Sequence, residues 1–566
     1  MHVDIVPNRS SRPAILLRET WREEGRVRKR TIANLTQSVS MEQALMLRRV
    51  LKGETLVAPS DAFAVTGSKA EGHVRAVLTA IKRLGIERLL ASRPSKERSL
   101  VAALIAYRVL NPASKLATTR AWRATTLPDE LGVSEASEDD VYSAMDWLVA
   151  RKDRIEGKLA KRHLKDEARV RFDVSSSYVE GEHCDLAEYG HNRDGKRGKK
   201  QINWGLLTDD DGRPVALSVF PRSTVDSKTL LPQVETLRDR FGLQSFTLIG
   251  DRGMITAKHI QQFRELPGVD WITAMKSQSL KKLVADGTIQ PSLFDETNLI
   301  EVQHVDYPNE RLIACRNPVL GRKRAHKRDA LLAATIQDLE TIQRRVWNGR
   351  LKGRDKIGLK VGEKLGRHNM GKHLRVTITD DDLAFEIDRD SVTQEARMDG
   401  IYVIRTSVDQ DTLTAAEAVR AYKSLADVER AFRTLKSIDL HVRPIHHRLA
   451  DRVKAHLFLC MLAYYVRWHM ETAWASLTFK DDDNDSKHDR DPVAPAKRSQ
   501  AATIKAQTGT LSDGTPARTF KTVLDDLATI TRNTCTHPQS GVTFPMTTSP
   551  TPQQQKALDL LDTITL

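Results

Sequence analysis

The pattern of apolar and polar positions predicts two kinds of structure in the first part of the chain. Residues 14–36 alternate as two strands around a turn at Glu23-Glu24-Gly25, which is typical of a hairpin. Residues 69–165 instead repeat apolar side chains at helical spacing. We therefore predict an N-terminal β-hairpin region over residues 1–60. A helical domain, a candidate for DNA binding, follows over residues 61–166.

From residue 168 the pattern indicates strands. Residues 168–176 alternate, and Asp173 lies on the face opposite the apolar side chains. The next predicted strands and helices lie at 201–209, 214–220, 227–241, 245–251, 255–266 and 271–276. Three meandering strands followed by strand–helix alternation are the order of a ribonuclease H-like sheet. We predict an α/β catalytic core with such a mixed sheet, and its first part spans residues 167–276.

The core pattern is interrupted over residues 277–398. This stretch contains a basic segment at 322–328, a helix predicted around 329–347 and two alternating strands, so we expect a β-rich insertion domain. The second part of the core is predicted over 399–475 and begins with a strand that returns to the main sheet. A linker at 476–499 and a C-terminal tail at 500–566 complete the division.

A long helix is predicted in the second part of the core. Thr414 and Glu417 form a capping box, so the helix begins at Ala415 and extends to about Lys436. One polar stripe covers an arc of about 60°; it contains Tyr422, Glu429, Arg433 and Lys436. The neighbouring apolar stripe contains Ala421, Val428, Phe432 and Leu435. An ordinary amphipathic helix with a Glu429–Arg433 ion pair fits the same pattern.

The charge and the cysteines narrow the class of protein. Lys plus Arg number 89 and Asp plus Glu 74, a net charge of +15, which favours a polyanionic partner, nucleic acid first. The four cysteines form no CxxC pair, which argues against a zinc ribbon and a disulfide scaffold. The most apolar run, 456–466, is too short to cross a bilayer. We expect a cytoplasmic, nucleoid-associated protein without membrane contact.

Three acidic residues are candidates for metal ligands in phosphodiester cleavage. Asp173 lies within a strand, Asp251 ends one beside Gly250 and Gly253, and Glu429 lies on the helix. Each acid alone also fits a cap, a turn or a solvated face. Together they suit two Mg²⁺ ions about 4 Å apart, which activate water and neutralise the scissile phosphate; Mn²⁺ is an expected substitute. Nearby phosphates would contact Tyr422, Arg433 and Lys436.

The spacing of Tyr422, Glu429 and Lys436 resembles the YREK signature of bacterial insertion-sequence DDE transposases. The sequences FDVSSSY, LIGDRGM and DGIYVIRT and the N-terminal LRETWREEGRVRKRTIANL resemble the branch with a long N-terminal region. The resemblance implies that Asp173, Asp251 and Glu429 bind the metals. It also implies that Tyr422 and Lys436 contact DNA phosphates. The Arg of the signature falls on Leu425, so Arg433 is a candidate substitute.

The resemblance also implies a reaction and its partners. We expect cleavage at the terminal inverted repeats of a transposon, attack of the freed 3′-hydroxyl on target DNA, and a homodimer that bridges two ends. Cleavage through a DNA hairpin would place Trp271 or Trp347 against a flipped base. A basic patch after the helix is expected to follow DNA or to be a solvated loop; it contains Arg443, His446, His447, Arg448 and Arg452.

Two alternatives remain open at this stage. One is a catalytically silent protein that binds transposon ends, and the other is a ribonuclease H-like nuclease without strand transfer. A strand-transfer assay separates both from a transposase.

Overall fold

The structure is a computed structural model that describes residues 1–9, 11–54, 62–181, 183–190, 195–196, 198–483, 490–538 and 540–565. Six residues of the predicted linker, 484–489, therefore lie outside the described residues. The chain divides into two compact units. The smaller contains Met1–Lys69 and Thr531–Thr548, and the larger contains Ala70–Ile530 and Ser549–Leu566.

The smaller unit contains the predicted hairpin. Its strands β2 (Ala14–Glu23) and β3 (Arg26–Asn34) pair antiparallel. Glu24 and Gly25 have φ values of 47° and 78°, the left-handed conformations that a two-residue hairpin turn requires. The hairpin prediction is confirmed. The strand that precedes the hairpin was not predicted. The other elements of this unit are β1 (His2–Val6), α1 (Met41–Val50), β4 (Ala64–Ala70), β15 (Thr531–Thr536) and β16 (Thr543–Thr547).

Helices begin the larger unit, as the periodicity predicts. They are α2 (Gly72–Arg83), α3 (Ile86–Leu90), α4 (Lys96–Leu110), α5 (Lys115–Ala121), α6 (Leu127–Glu130), α7 (Glu138–Val149) and α8 (Lys152–His163). α4 is buried along its last eleven residues, so it packs on every side and has no solvated stripe. Ser95, Ser114 and Ser137 cap the starts of α4, α5 and α7, as expected for N-cap serines.

An eight-stranded sheet follows. Its strands are β5 (Ala168–Tyr178), β6 (Gln201–Thr208), β7 (Pro214–Phe220), β8 (Phe246–Ile249), β9 (Val269–Ala274), β10 (Leu299–Val302), β11 (Arg311–Arg316) and β14 (Ile401–Thr406). The order is β10-β11-β14-β9-β8-β5-β6-β7. β8 runs parallel to both β5 and β9, and the other neighbours are antiparallel. The predicted return of the strand at 400–406 to this sheet is confirmed.

One helix of the core is less regular than expected. The single helix predicted over 227–241 divides into a short 3₁₀ turn, α9 (Leu231–Glu235) and a π-helical turn at Thr236–Arg240. Pro232 lies in the first turn of α9, where a residue without an N–H is tolerated. Because proline has no N–H to donate, it cannot continue the preceding turn. The helices α10 (Ala257–Arg264) and α11 (Ser277–Ala285) follow in the core.

The prediction of a β-rich insertion is wrong. Residues 277–398 are mostly helical, because α12 (Pro318–Trp347), α13 (Arg354–His368) and α14 (Arg389–Ala396) surround a single hairpin. That hairpin is β12 (Leu374–Ile378) with β13 (Leu383–Ile387), and β10 and β11 belong to the main sheet. Asn317 caps α12, so the basic segment lies in its first turns. The apolar residues that hold α12 against α13 are Leu332, Leu339, Ile342, Val346, Ile357 and Val361.

The last helices of the larger unit are α15 (Ala415–Lys423), α16 (Leu425–Lys436), α17 (Ala450–Ala473), α18 (Gln500–Thr508), α19 (Phe520–Leu527) and α20 (Pro552–Leu561). α17 carries the apolar run at 456–466 and packs in the core against α4, α7 and β7. Within the described parts of the chain, no helix is long and apolar enough to cross a membrane.

The predicted linker docks on the core where the structure describes it. Val493 is 1% exposed and packs among residues of the sheet and α15. Its carbonyl oxygen accepts hydrogen bonds from Asn317 Nδ2 and Lys423 Nζ, each at 3.0 Å. The prediction of a linker at 476–499 therefore does not describe residues 490–494, which contact the core. The high charge and the proline of this stretch led to the prediction of a linker, although Val493 is buried.

Candidate active site

Asp173 lies on β5, and Asp251 follows the end of the neighbouring strand β8. β5 and β8 are parallel, and their last paired residues are Arg171 and Ile249. Asp173 lies two residues further along β5, whereas Asp251 lies two residues beyond the end of β8, in the turn that follows it. The parallel pairing therefore places Asp173 on the strand beside the one that leads into the turn with Asp251. Periodicity within each strand could not predict this pairing.

The turn after β8 leaves space around the second acid. Asp251 is exposed, and its carbonyl oxygen accepts hydrogen bonds from Met254 N and Ile255 N at 2.9 and 3.1 Å. A Cβ at Gly253 would lie 3.7 Å from Asp251 Oδ2, so glycine leaves that side of the carboxylate open. Asp173 is partly buried, and its Oδ1 accepts a hydrogen bond from Val174 N at 2.7 Å.

The helix that carries Glu429 breaks at Ser424. Its predicted start at Ala415, with the Thr414–Glu417 capping box, and its end at Lys436 are confirmed. Continuity between them was wrongly predicted. Ser424 Oγ donates to Ala421 O at 2.6 Å, and such a bond from a serine side chain to its own helix competes with the regular backbone pattern. Tyr422 therefore lies before the break, and Glu429 lies after it.

Arg171 holds this break against the sheet. It shares the face of β5 with Asp173 and is 3% exposed. Its Nε donates to Ser424 Oγ at 2.5 Å, its Nη1 to Asp209 O at 2.5 Å and its Nη2 to Asp210 Oδ1 at 2.7 Å. Sequence reasoning missed this residue. The signal was present, because the alternation that exposed Asp173 places an arginine two residues earlier on the same face.

Tyr422 links the helix pair to Asp251. Its hydroxyl donates to Asp251 Oδ1 at 3.4 Å. Burial, the carboxylate of Asp251 and, more weakly, that of Glu429 raise the pKa of Tyr422. The hydroxyl therefore stays protonated and acts as a donor at any physiological pH. Glu429, seven residues after Tyr422 and beyond the break, has an exposed side chain.

α16 packs against β5 through its apolar stripe. Val428, Ala431, Phe432 and Leu435 are all buried, which confirms the stripe predicted after the break. The rings of Phe432 and Trp204 on β6 meet edge to face at 4.9 Å between centroids. This packing leaves Glu429 and Arg433 facing solvent. Neither side chain has a hydrogen bond or ion pair within the described part of the chain, so the alternative Glu429–Arg433 pair does not form.

The types of side chain at this site suit a hard divalent ion. Carboxylate oxygens are the donors that Mg²⁺ takes, together with several waters. Within the described residues, however, no group of three His, Cys, Asp or Glu side chains is close enough to hold a metal ion. The structure places Asp251 just beyond the strand that pairs with β5 and joins it to α15 by a hydrogen bond. It does not gather the three acids into one metal-binding group.

The remaining predicted residues lie around the end of α16. Arg443 Nε donates to Lys436 O at 3.2 Å. Ile445 forms a bridge with Val179, just beyond the end of β5. His446 and Arg448 are exposed on this segment, so the basic patch borders the carboxyl end of the central strand. The two tryptophans differ: Trp271 is buried in the core, whereas Trp347 is 64% exposed at the end of α12.

Comparison with known proteins identifies the family. A family model of the transposase DDE domain matches residues 167–466, and one of the IS1634 family transposase N-terminal domain matches residues 3–61. No curated protein matches the chain. A solved structure described as a piggyBac transposase synaptic complex with hairpin DNA matches with 9% sequence identity and a TM-score of 0.34. That match covers 81% of this chain and 76% of the other. The resemblance to insertion-sequence transposases is thereby confirmed, and because the first match spans more than half of the sequence, the chain belongs to the DDE transposases, enzymes that cut and join DNA.

Proposed function

We propose that this transposase cuts the terminal inverted repeats of its element with Asp173, Asp251 and Glu429 as metal ligands. It then joins the freed 3′-hydroxyl to target DNA. The observation that supports the proposal is the parallel pairing of β5, which carries Asp173, with β8, which ends two residues before Asp251. An adjacent hydroxyl, that of Tyr422, reaches Asp251.

The strand order supports a ribonuclease H-like core. Three antiparallel strands, β7, β6 and β5, are followed on the far side of β5 by the parallel strands β8 and β9. This is the meander followed by strand–helix alternation that the sequence predicts for such a core. β5, which lies between the antiparallel strands and the parallel pair, carries the first acid, Asp173.

Each residue of the site has a proposed task. Mg²⁺, or Mn²⁺ in its place, would neutralise the scissile phosphate and activate water when held by the three acids. Tyr422 remains a neutral donor and orients the Asp251 carboxylate. Arg433 and Lys436 contact phosphates beside the cleaved bond, and the basic patch with Arg443, His446 and Arg448 extends the contact along the duplex.

We also propose that two copies bridge the two element ends as a homodimer in the bacterial cytoplasm, associated with the nucleoid. Trp347 is the better candidate than Trp271 for holding a flipped base, because its ring is exposed. Its Nε1 donates to Asp382 Oδ1 at 3.1 Å, which fixes the plane of the ring. Trp271 lies in the core and cannot reach a base without unfolding its surroundings.

The test uses the full chain and a labelled duplex that carries one terminal inverted repeat. Asp173→Asn, Asp251→Asn and Glu429→Gln should each reduce Mg²⁺-dependent cleavage at least about a thousandfold while end binding stays within about threefold. Asp427→Asn is the matched control, because Asp427 lies on the same helix and pairs with Arg430 at 3.0 Å. Retained cleavage in any of the three variants would refute the assignment of that residue.

The two alternatives are separate outcomes of the same experiment. Wild-type protein that binds the end duplex but never nicks it would indicate a silent end-binding protein. Cleavage without joined products in the presence of target DNA would indicate a nuclease without strand transfer. Either outcome contradicts the proposed function.

A further inference from the structure

A cluster of basic side chains, most of them buried, lies where the segment after α16 crosses the helical layer. Lys115 Nζ donates to His456 Nδ1 at 3.3 Å, and His456 Nε2 donates to Val442 O at 2.9 Å. The rings of His447 and His456 are 5.3 Å apart between centroids. Arg108 is 5% and Lys115 4% exposed. The cluster thus contains one side chain from each of four parts of the chain: α4, α5, α17 and the segment 442–448.

Arg108 has no partner that would explain its burial. Its side-chain nitrogens form no hydrogen bond or ion pair with any described residue. They are also not among the unbonded polar atoms that are sealed from solvent. The guanidinium of this largely buried side chain therefore reaches solvent, where it can bind an external anion.

The groups that face the cluster are cationic or neutral. Besides burial, Arg108 and the Cys460 thiol shift the pKa of Lys115. Besides burial, the pKa of His447 is lowered by Lys115, Arg452, His446 and Arg108. Besides burial, the pKa of His456 is lowered by Lys115, Arg108 and His447. Asp146, an acid on α7, pairs with Arg452 at 3.4 Å. Within the described residues, no carboxylate is among the main influences on the pKa values of Lys115, His447 and His456.

We propose that this cluster, Arg108, Lys115, His447 and His456, is a subsite that binds one backbone phosphate of the DNA. A phosphodiester carries one negative charge and two oxygen acceptors, which suit a guanidinium and an ammonium group side by side. The proposal rests on the proposed function and adds residues of the helical layer to the DNA contact. The same segment carries His446 and Arg448 on its exposed side, so the duplex would continue over it.

The protonation of Lys115 predicts how phosphate binding should depend on pH. Burial, and next the charge of Arg108, lower the pKa of Lys115 to about 7. Burial, and next Lys115, lower that of His447 to about 3. A bound phosphate would favour the charged form of Lys115, so binding should take up a proton. DNA affinity should consequently decrease as the pH rises from 6.5 to 8.5.

The experiment compares Arg108→Met and Lys115→Met with wild type in the full chain. Lys454→Met is the control, since Lys454 lies on α17, is 40% exposed and pairs with Asp451. Affinity for the end duplex is measured by fluorescence anisotropy from 50 to 300 mM KCl. We expect each cluster variant to lose at least about tenfold in affinity and to flatten the slope of log K against log salt by about 0.9. The control should not change the slope.

A second measurement separates binding from folding. For Arg108→Met, which removes no hydrogen bond within the described residues, the melting temperature of the DNA-free protein should be unchanged or higher, whereas a purely structural role predicts a lower one. Normal affinity and slope in both folded variants would overturn the proposal while leaving cleavage by wild type intact. Inorganic phosphate at 50 mM distinguishes the source: if it stabilises wild type but the variants bind DNA normally, the site takes free phosphate and the proposal for DNA is wrong.

Discussion

Arg171 Nε donates to Ser424 Oγ at 2.5 Å, which ties the central strand to the break between α15 and α16. The same guanidinium reaches the turn between β6 and β7 through Asp209 O and Asp210 Oδ1. One buried side chain therefore sets the position of the helix pair relative to the strand with Asp173. Arg171 is a positioning residue for Tyr422 and Glu429.

Arg171→Met should reduce the rate of cleavage more than it weakens DNA binding. The variant keeps the apolar stem but frees the helix break, so we expect at least about a tenfold loss in single-turnover rate. The Kd for the end duplex should change less than threefold. Arg171→Lys should recover part of the rate, because its ammonium can reach one of the three acceptors.

Arg169→Met is the control for this experiment. Arg169 lies two residues earlier on the same face of β5 and bonds Asp210 but not Ser424. If Arg169→Met loses as much rate as Arg171→Met, the contact with Ser424 does not position the helix pair.

Tyr422→Phe should change the site without destabilising the protein. The hydroxyl makes one long bond to Asp251, at 3.4 Å, so its loss should cost less than about 1 kcal/mol. Asp251 would lose its neutral donor, and we expect about a tenfold lower cleavage rate. A Mg²⁺ titration of the single-turnover rate measures this effect. A variant with wild-type rate at every Mg²⁺ concentration would show that the bond has no role in cleavage.

Gly205→Ala should destabilise the sheet beside Asp173. A Cβ at Gly205 would lie 2.5 Å from the ring of Phe172, which is fully buried. Neither the ring nor the two paired strands can move freely in a packed core, so we expect a cost of about 1–3 kcal/mol. The melting temperature should therefore decrease. Gly157→Ala is the control, because nothing lies within 4 Å of its Cβ position on α8 and alanine favours a helix; an equal decrease there would contradict the explanation.

Acid should destabilise the protein through buried histidines. Burial, as the largest cause, lowers the pKa of His163 to about 4 and those of His447 and His469 to about 3. An unfolded histidine has a pKa of about 6.5. Between pH 4 and 6.5 the unfolded chain therefore binds more protons than the folded one, so stability decreases as the pH falls. We expect the melting temperature to decrease from pH 7 to 4.5.

His163→Gln tests this pH dependence. His163 Nε2 and Tyr465 Oη are 2.8 Å apart, and a glutamine can keep this hydrogen bond without titrating. The decrease in melting temperature with acid should be smaller for the variant than for wild type at constant ionic strength. Identical pH profiles would mean that His163 is charged in the folded protein, as its neighbour Asp209, 4.0 Å away, would favour.

Much of the local structure could be predicted because it depends on residues close in sequence. The hairpin follows from a turn that glycine and glutamate can adopt with positive φ. The start of α15 follows from the Thr414–Glu417 capping box, and the buried stripe of α16 follows from helical spacing. The insertion was mispredicted because two short alternating strands outweighed a thirty-residue helix whose start at Asn317 and Pro318 was not recognised.

The sequence by itself determined which side chains project from β5 and α16, since backbone geometry assigns alternate faces to a strand and successive stripes to a helix. Tertiary structure decided which of those side chains meet. The register of β5 with β8, the contact of Arg171 with Ser424 and the burial of Arg108 and Lys115 join residues far apart in the chain. Such contacts depend on how whole elements pack, and local periodicity carries no information about them.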